Sequence, residues 1–229
     1  MESSLECSEY AIKRVVVLLS LKKYIIERRD TNKEKLMAHL AKILIRKDAT
    51  DRLKKLAGQT IEFLPGLNML VGENGIGKSG ILYNLTKPKD SKHSIKLTTT
   101  GAISFFHFDT EKMNPRVSTP SGTSFEFGVV SRFMSHGECL IKVLEHFKEL
   151  TASKQKSYLV AVDEPEGGLS PWKQKELLDM YIKQSKRIQI IIATHSLVFT
   201  KSKVGRLIEL SPNGVQYFDP PCSYDWRGI

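Results

Sequence analysis

Residues 67–79, LNMLVGENGIGKS, constrain this chain more than any other stretch. An apolar run closes on a glycine, a glycine-rich loop follows, and Lys78-Ser79 opens a helical run, ILYNL. The loop from Gly72 to Ser79 fits the pattern GxxxxGK[ST]. Glycine reaches backbone angles closed to other residues, so Gly72, Gly75 and Gly77 allow Glu73, Asn74 and Ile76 to sit in a tight turn whose successive N–H groups cradle phosphate oxygens. Lys78 then reaches the terminal phosphates and the Ser79 hydroxyl ligates Mg²⁺, with the helix N-terminus through Gly80 adding its dipole. A strand, this loop and a helix in that order predict an α/β domain with a nucleotide site.

The rest of the chain from Gln59 keeps that rhythm. TIEFL, AISFFHF, YLVAV and IQIIIA are strand candidates, and RLIEL with VQYF around SPNG reads as a hairpin. YLVAV and IQIIIA are continuous apolar runs, as expected of strands covered on both faces. CLIKVLEHFKEL and WKQKELLDMYIKQSK carry helical periodicity between them. The expectation is an α/β fold, a mixed and mostly parallel sheet flanked by helices, over residues 58–229. Residues 1–57 form a basic segment, either separate or part of the same fold, expected to be largely helical or mixed because Leu36, Leu40, Ile43 and Leu44 recur at helical spacing. Val15, Val16 and Val17 favour a strand within the ambiguous stretch before it.

Three further segments carry chemistry. In YLVAVDEPEGGLSP a buried strand delivers Asp163 and Glu164 at its C-terminal end, the edge where open α/β sheets bind ligands. Asp163 is placed to share the Mg²⁺ shell with Ser79, and Glu164 to polarise a water for in-line attack. ATHS puts His195 at the end of another core strand. SHGE opens a helix with Ser135 and Gly137, a hydroxyl and free backbone N–H groups suited to an anion or to an ordinary helix cap.

Taken in order, the four segments resemble the ABC-type ATPases: GENGIGKS the Walker A loop, SHGE the signature, VDEP the Walker B strand and ATHS the switch-histidine loop. Fifty-seven residues separate Lys78 from Ser135, 28 separate Ser135 from Asp163 and 32 separate Asp163 from His195, in agreement with that family. SHGE and DEPEGGLSP look more like small stand-alone ATPases related to SMC, RecF and OLD-type proteins than like transporter subunits, and FDTEKMNPR is similar to a segment of the same group. The resemblance implies ATP and Mg²⁺ as cofactors, Glu164 as general base, and His195 and Lys78 on the γ-phosphate. It implies a head-to-tail homodimer closed by ATP, in which Ser135 and Gly137 of one copy reach the nucleotide of the other. Gly80 stands where the family often has threonine, which removes one hydroxyl contact to the α-phosphate. No glutamine lies between Phe105 and Arg116, so Asp109 or Glu111 is the candidate stand-in, and no aromatic lies near Lys47 to stack on adenine. The span between Walker A and signature is too short for an SMC-like coiled coil.

Composition narrows the function classes. The longest early apolar run, Val15 to Leu19, falls far short of the roughly 20 residues a membrane span needs. The acidic start MESSLECSE lacks the basic opening of a secretory signal. Cys7, Cys139 and Cys222 form no CxxC pair, against a disulfide framework or a cysteine-rich zinc site. A soluble, cytoplasmic protein is therefore expected. Net charge is +10, of which residues 1–57 hold +6, a balance compatible with nucleic acid but unaccompanied by any recognition motif. The leading expectation is Mg-dependent ATP hydrolysis coupled to dimerisation and acting on nucleic acid or a partner protein. The alternatives are a nucleotide-gated protein-binding switch with negligible turnover and the soluble ATPase subunit of a transporter.

Overall fold

The computed structural model describes residues 38–49, 51–86, 94–109 and 157–220. The ambiguous stretch 14–26, the helix expected in CLIKVLEHFKEL, Glu111 and the signature residues Ser135 and Gly137 lie outside the described residues.

Two sheets organise the described chain. Five strands run parallel: β3 (Leu67–Gly72), β5 (Ile103–Asp109), β6 (Ser157–Asp163), β7 (Gln189–Ala193) and β8 (Arg206–Ser211). The hairpin partner β9 (Gly214–Phe218) adds antiparallel to β8, giving the order β5-β6-β7-β3-β8-β9. This is the mixed, mostly parallel sheet expected from the sequence. A second, antiparallel sheet has β1 (Leu40–Ile45) between β2 (Thr60–Glu62) and β4 (Ile95–Thr99).

The large sheet is covered on both faces, which is why its central strands are apolar throughout. Alternation along β6 sends Leu159 and Ala161 to one side and Tyr158, Val160 and Val162 to the other. The first set packs with β1, a 3-10 turn over Asp51–Leu56, and helix α1 (Lys78–Thr86), through Leu53, Leu56, Ile81 and Leu82. The second packs with helix α2 (Pro171–Ser185) and the short helix α3 (Leu197–Thr200), through Leu177, Leu178, Tyr181 and Phe199.

Two elements depart from the expectation. Leu40–Ile45 is a strand, not a helix: Leu40, Ile43 and Ile45 are buried while Leu44 is 40% exposed, and a register shift between Leu40 and Lys42 interrupts the alternation. That irregularity produced a helical spacing from a strand, and the β-branched Ile43 and Ile45 favour the extended form. β4 carries little apolar signal because Lys96, Thr98 and Thr99 face outward and Ile95 alone is buried.

A buried glutamine helps to join the sheets. Gln189, 3% exposed at the start of β7, accepts from Leu40 N–H at 2.7 Å, and its amide donates to the carbonyls of Leu40 and Leu64 at 2.9 Å each. Those three backbone groups lie at the margin of the small sheet, where buried polar atoms left unmatched would cost about 1–3 kcal/mol each. Asn68 does the same locally, bonding Leu64 and Gly66 and thereby fixing the Pro65-Gly66 turn into β3.

Candidate active site

β6, β7 and β3 are adjacent: β6 and β7 end level, with Asp163 paired to Ala193, while β3, whose Leu70 pairs with Ala193, runs two residues further to Gly72. The loops following them therefore emerge side by side. Glu164 N–H donates to Ala193 O at 2.9 Å and Thr194 N–H to Leu70 O at 3.1 Å, which carries the alignment one residue past β6 and β7. Lys78, the Asp163-Glu164 pair and His195 are far apart in sequence, and the topology brings their segments to one edge.

Sterics shape the Walker A loop. Gly72 and Gly77 adopt φ of +139° and +118°, and a Cβ on either would overlap backbone, that of Leu210 and that of Arg52 respectively. Gly75, at φ +72°, has open space around it. Glu73, Asn74 and Gly75 are exposed, whereas the Ile76 side chain is buried in the core, leaving only its backbone for a phosphate. A Cβ on Gly80 would lie 3.0 Å from Arg52 Cβ and 3.2 Å from Leu53 Cδ2. The 3-10 turn thus occupies the space a threonine would need, which is a physical reason for the glycine at this position.

Lys78 is 5% exposed, and its ammonium donates to Gly72 O at 2.9 Å and Glu73 O at 3.1 Å. Burial lowers its pKa from the ordinary lysine value, opposed by the nearby carboxylates of Glu164, Asp163 and Glu166. The ammonium is thus folded against the loop it would share with a phosphate.

The residues fit a Mg²⁺ ion. Ser79 Oγ donates to Asp163 Oδ1 at 3.1 Å. Adjacent oxygens of an octahedral Mg²⁺ shell, at about 2.1 Å from the ion, stand about 3.0 Å apart, so these two atoms are already spaced as neighbouring ligands. Among the described residues no group of three or more His, Cys, Asp or Glu could hold a metal. A site of two protein oxygens, completed by phosphate and water, suits Mg²⁺ better than an all-protein cage.

Glu164 takes φ +45°, a left-handed conformation costing a non-glycine residue about 1–3 kcal/mol. It heads a turn closed by Gly167 N–H to Glu164 O at 3.1 Å. Its Oε1 lies 3.7 Å from His195 Nε2, and both side chains are partly exposed, at 53% and 37%. Glu164 and His195 therefore face the same solvent-open space.

One participant was not anticipated. Glu166 Oε1 accepts from Thr194 Oγ1 at 2.7 Å, His195 N–H at 2.6 Å and Ser196 N–H at 3.1 Å. Behind it, Ser196 Oγ donates to Gln174 Oε1 at 2.6 Å and caps α3 by accepting from Val198 N–H. The acid at the end of DEPE was the available signal, but nothing local to it names a partner 28 to 30 residues away.

Comparison with known proteins accords with this geometry. A family model described as "AAA domain, putative AbiEii toxin, Type IV TA system" matches residues 150–200. No curated protein matches the chain. Among solved structures it is similar to cbiO1 from Clostridium perfringens, part of the ABC transporter complex cbiONQ, with a TM-score of 0.55 and 14% identity over 80% of this chain and 90% of that one. It is similar also to MJ1267, an ATP-binding cassette of an ABC transporter in its ADP conformation, with a TM-score of 0.54 and 14% identity over 79% and 90%. Among the described residues no helix is long and apolar enough to cross a membrane. The chain therefore has the fold of the ATP-binding cassettes it is similar to, with the loops after β3, β6 and β7 converging on one sheet edge.

Proposed function

We propose that the chain binds MgATP at Gly72–Ser79 and hydrolyses it while two copies are closed head to tail. The observation that carries this reading is the pairing of Ser79 Oγ with Asp163 Oδ1 at 3.1 Å beside the Glu164–His195 pair. Ser79 and Asp163 would hold Mg²⁺, which would supply positive charge to offset that of the phosphates. Lys78 exchanges its loop carbonyls for the terminal phosphates, Glu164 takes the proton of the attacking water, and His195 contacts the γ-phosphate. Catalysis of this kind is positioning and charge stabilisation, without a covalent intermediate. Ser135 and Gly137 of the second copy complete the site, and the closure acts on nucleic acid or a partner protein. The charge of +6 in residues 1–57 supports a nucleic-acid client by composition alone.

The test is solution mass of the Glu164→Gln protein with and without MgATP. Blocked hydrolysis traps the closed state, so mass doubles with MgATP and returns to monomer without it. A monomer under saturating MgATP contradicts the head-to-tail closure.

A further inference from the structure

We propose that Glu166 is a positioning residue for His195, holding the loop Thr194–Ser196 where the histidine meets the nucleotide. The proposal rests on the reading of His195 as a γ-phosphate contact.

Three consecutive residues of the loop donate to one carboxylate oxygen, at 2.7, 2.6 and 3.1 Å. Hydrogen bonds to an ionised acceptor are shorter and about twice as strong as neutral ones, so this is the firmest tie the loop has to the Walker B turn. The His195 ring makes no hydrogen bond of its own among the described residues, its nearest charged neighbour being Glu164 Oε1 at 3.7 Å. Its place is therefore set through its backbone, and its N–H makes the shortest of the three bonds.

Glu164 and Glu166 sit two residues apart in one turn, with Leu169 N–H closing onto Glu166 O at 3.0 Å. One acid faces the reacting space and the other grips the switch loop behind it. Any displacement of residues 164–169 moves base and histidine together, so the turn keeps the pair in register.

Glu166 is an uneconomical choice for stability alone. Its second oxygen, Oε2, is buried with no hydrogen-bond partner among the described residues, and so is the hydroxyl of Tyr181. Burial, with the Glu166 charge adding, pushes the Tyr181 phenol well above its ordinary value. A half-satisfied buried carboxylate beside an orphan hydroxyl weakens a core that an apolar side chain would serve better. What an apolar residue could not supply is the acceptor for three loop donors.

The experiment measures kcat, MgATP affinity and thermal midpoint for wild type, Glu166→Ala, Glu166→Gln, His195→Ala and the Glu166→Ala/His195→Ala double variant. Glu166→Ala is expected to lower kcat roughly tenfold to a hundredfold, the scale of a small misplacement in an active site, with affinity within about threefold. Glu166→Gln recovers most of that loss, because its amide oxygen accepts the same three donors. The double variant is no slower than His195→Ala alone, since residues acting through one another do not add. Should Glu166→Ala not fold, Thr194→Val removes one donor at similar shape and is expected to slow kcat only where His195 is intact. Losses that multiply in the double variant, or a glutamine as slow as alanine, overturn the proposal. If His195→Ala slows turnover and Glu166→Ala does not, the positioning role alone fails. If His195→Ala keeps full turnover, the reading of His195 fails and takes the positioning role with it.

Discussion

Glu164→Gln is expected to cut steady-state phosphate release by at least a hundredfold while MgATP affinity stays within a few-fold of wild type. General bases contribute on the order of 10²–10⁴ in rate, and the glutamine amide cannot take a proton from water. The shape of the side chain is kept, and Lys78, Ser79 and Asp163, which hold the phosphates and Mg²⁺ in this reading, are untouched. Glu164 is placed for such a role by its surroundings: it follows a fully covered strand, turns out at φ +45°, and opens onto solvent 3.7 Å from His195. A turnover assay with affinity measured in parallel decides the matter. A variant retaining more than a tenth of wild-type release would move the base elsewhere.

The second large effect is expected at Gly77. Alanine there must hold φ +118° with its Cβ 2.6 Å from Arg52 O, so either the loop or the 3-10 turn has to shift. Strain of about 1–3 kcal/mol combines with an overpacking cost of similar size, giving an expected loss of about 2–5 kcal/mol in urea unfolding. Nucleotide affinity should fall at least a hundredfold, because the displaced segment is the phosphate cradle. Gly75→Ala is the control: its φ of +72° is strained, but nothing lies within 4 Å of the new methyl. It should cost about 1 kcal/mol and leave a folded loop. Equal losses at the two positions would mean that the approach of Arg52 does not shape the loop.

Much of the fold was legible because the large sheet obeys local rules. β3, β6 and β7 are apolar runs closing on Gly72, Asp163 and Ala193, and the SPNG turn marks the β8–β9 hairpin without ambiguity. The small sheet was not legible. β1 pairs with β2 and with β4, which lies some 50 residues further on, and its burial depends on those pairings rather than on its own period. Leu44 illustrates this, since its spacing joins it to a helical stripe and yet it faces outward, opposite Thr60 and Lys96.

The site divides in the same way. Lys78 and Ser79 at a helix start, and Asp163 and Glu164 at a strand end, are nominated as candidates by residue type and position alone. The reason for Gly80 is not legible in that way, because it lies in Arg52 and Leu53, which approach from a turn more than 20 residues earlier. Glu166 also passed unseen: an acid in a glycine-rich turn looks like a solvated charge until the switch loop is folded against it.

The proposed function requires loops from three adjacent strands to compose one Mg-dependent ATP-hydrolysing site. Phosphate release by the wild-type protein as a function of Mg²⁺ concentration, repeated with Ser79→Ala, tests it most directly. Release should vanish on chelation, and the Ser79→Ala protein should need at least tenfold more Mg²⁺ for half-maximal rate. Bound ATP with no release at any Mg²⁺ concentration, or release indifferent to both Mg²⁺ and Ser79, would contradict it.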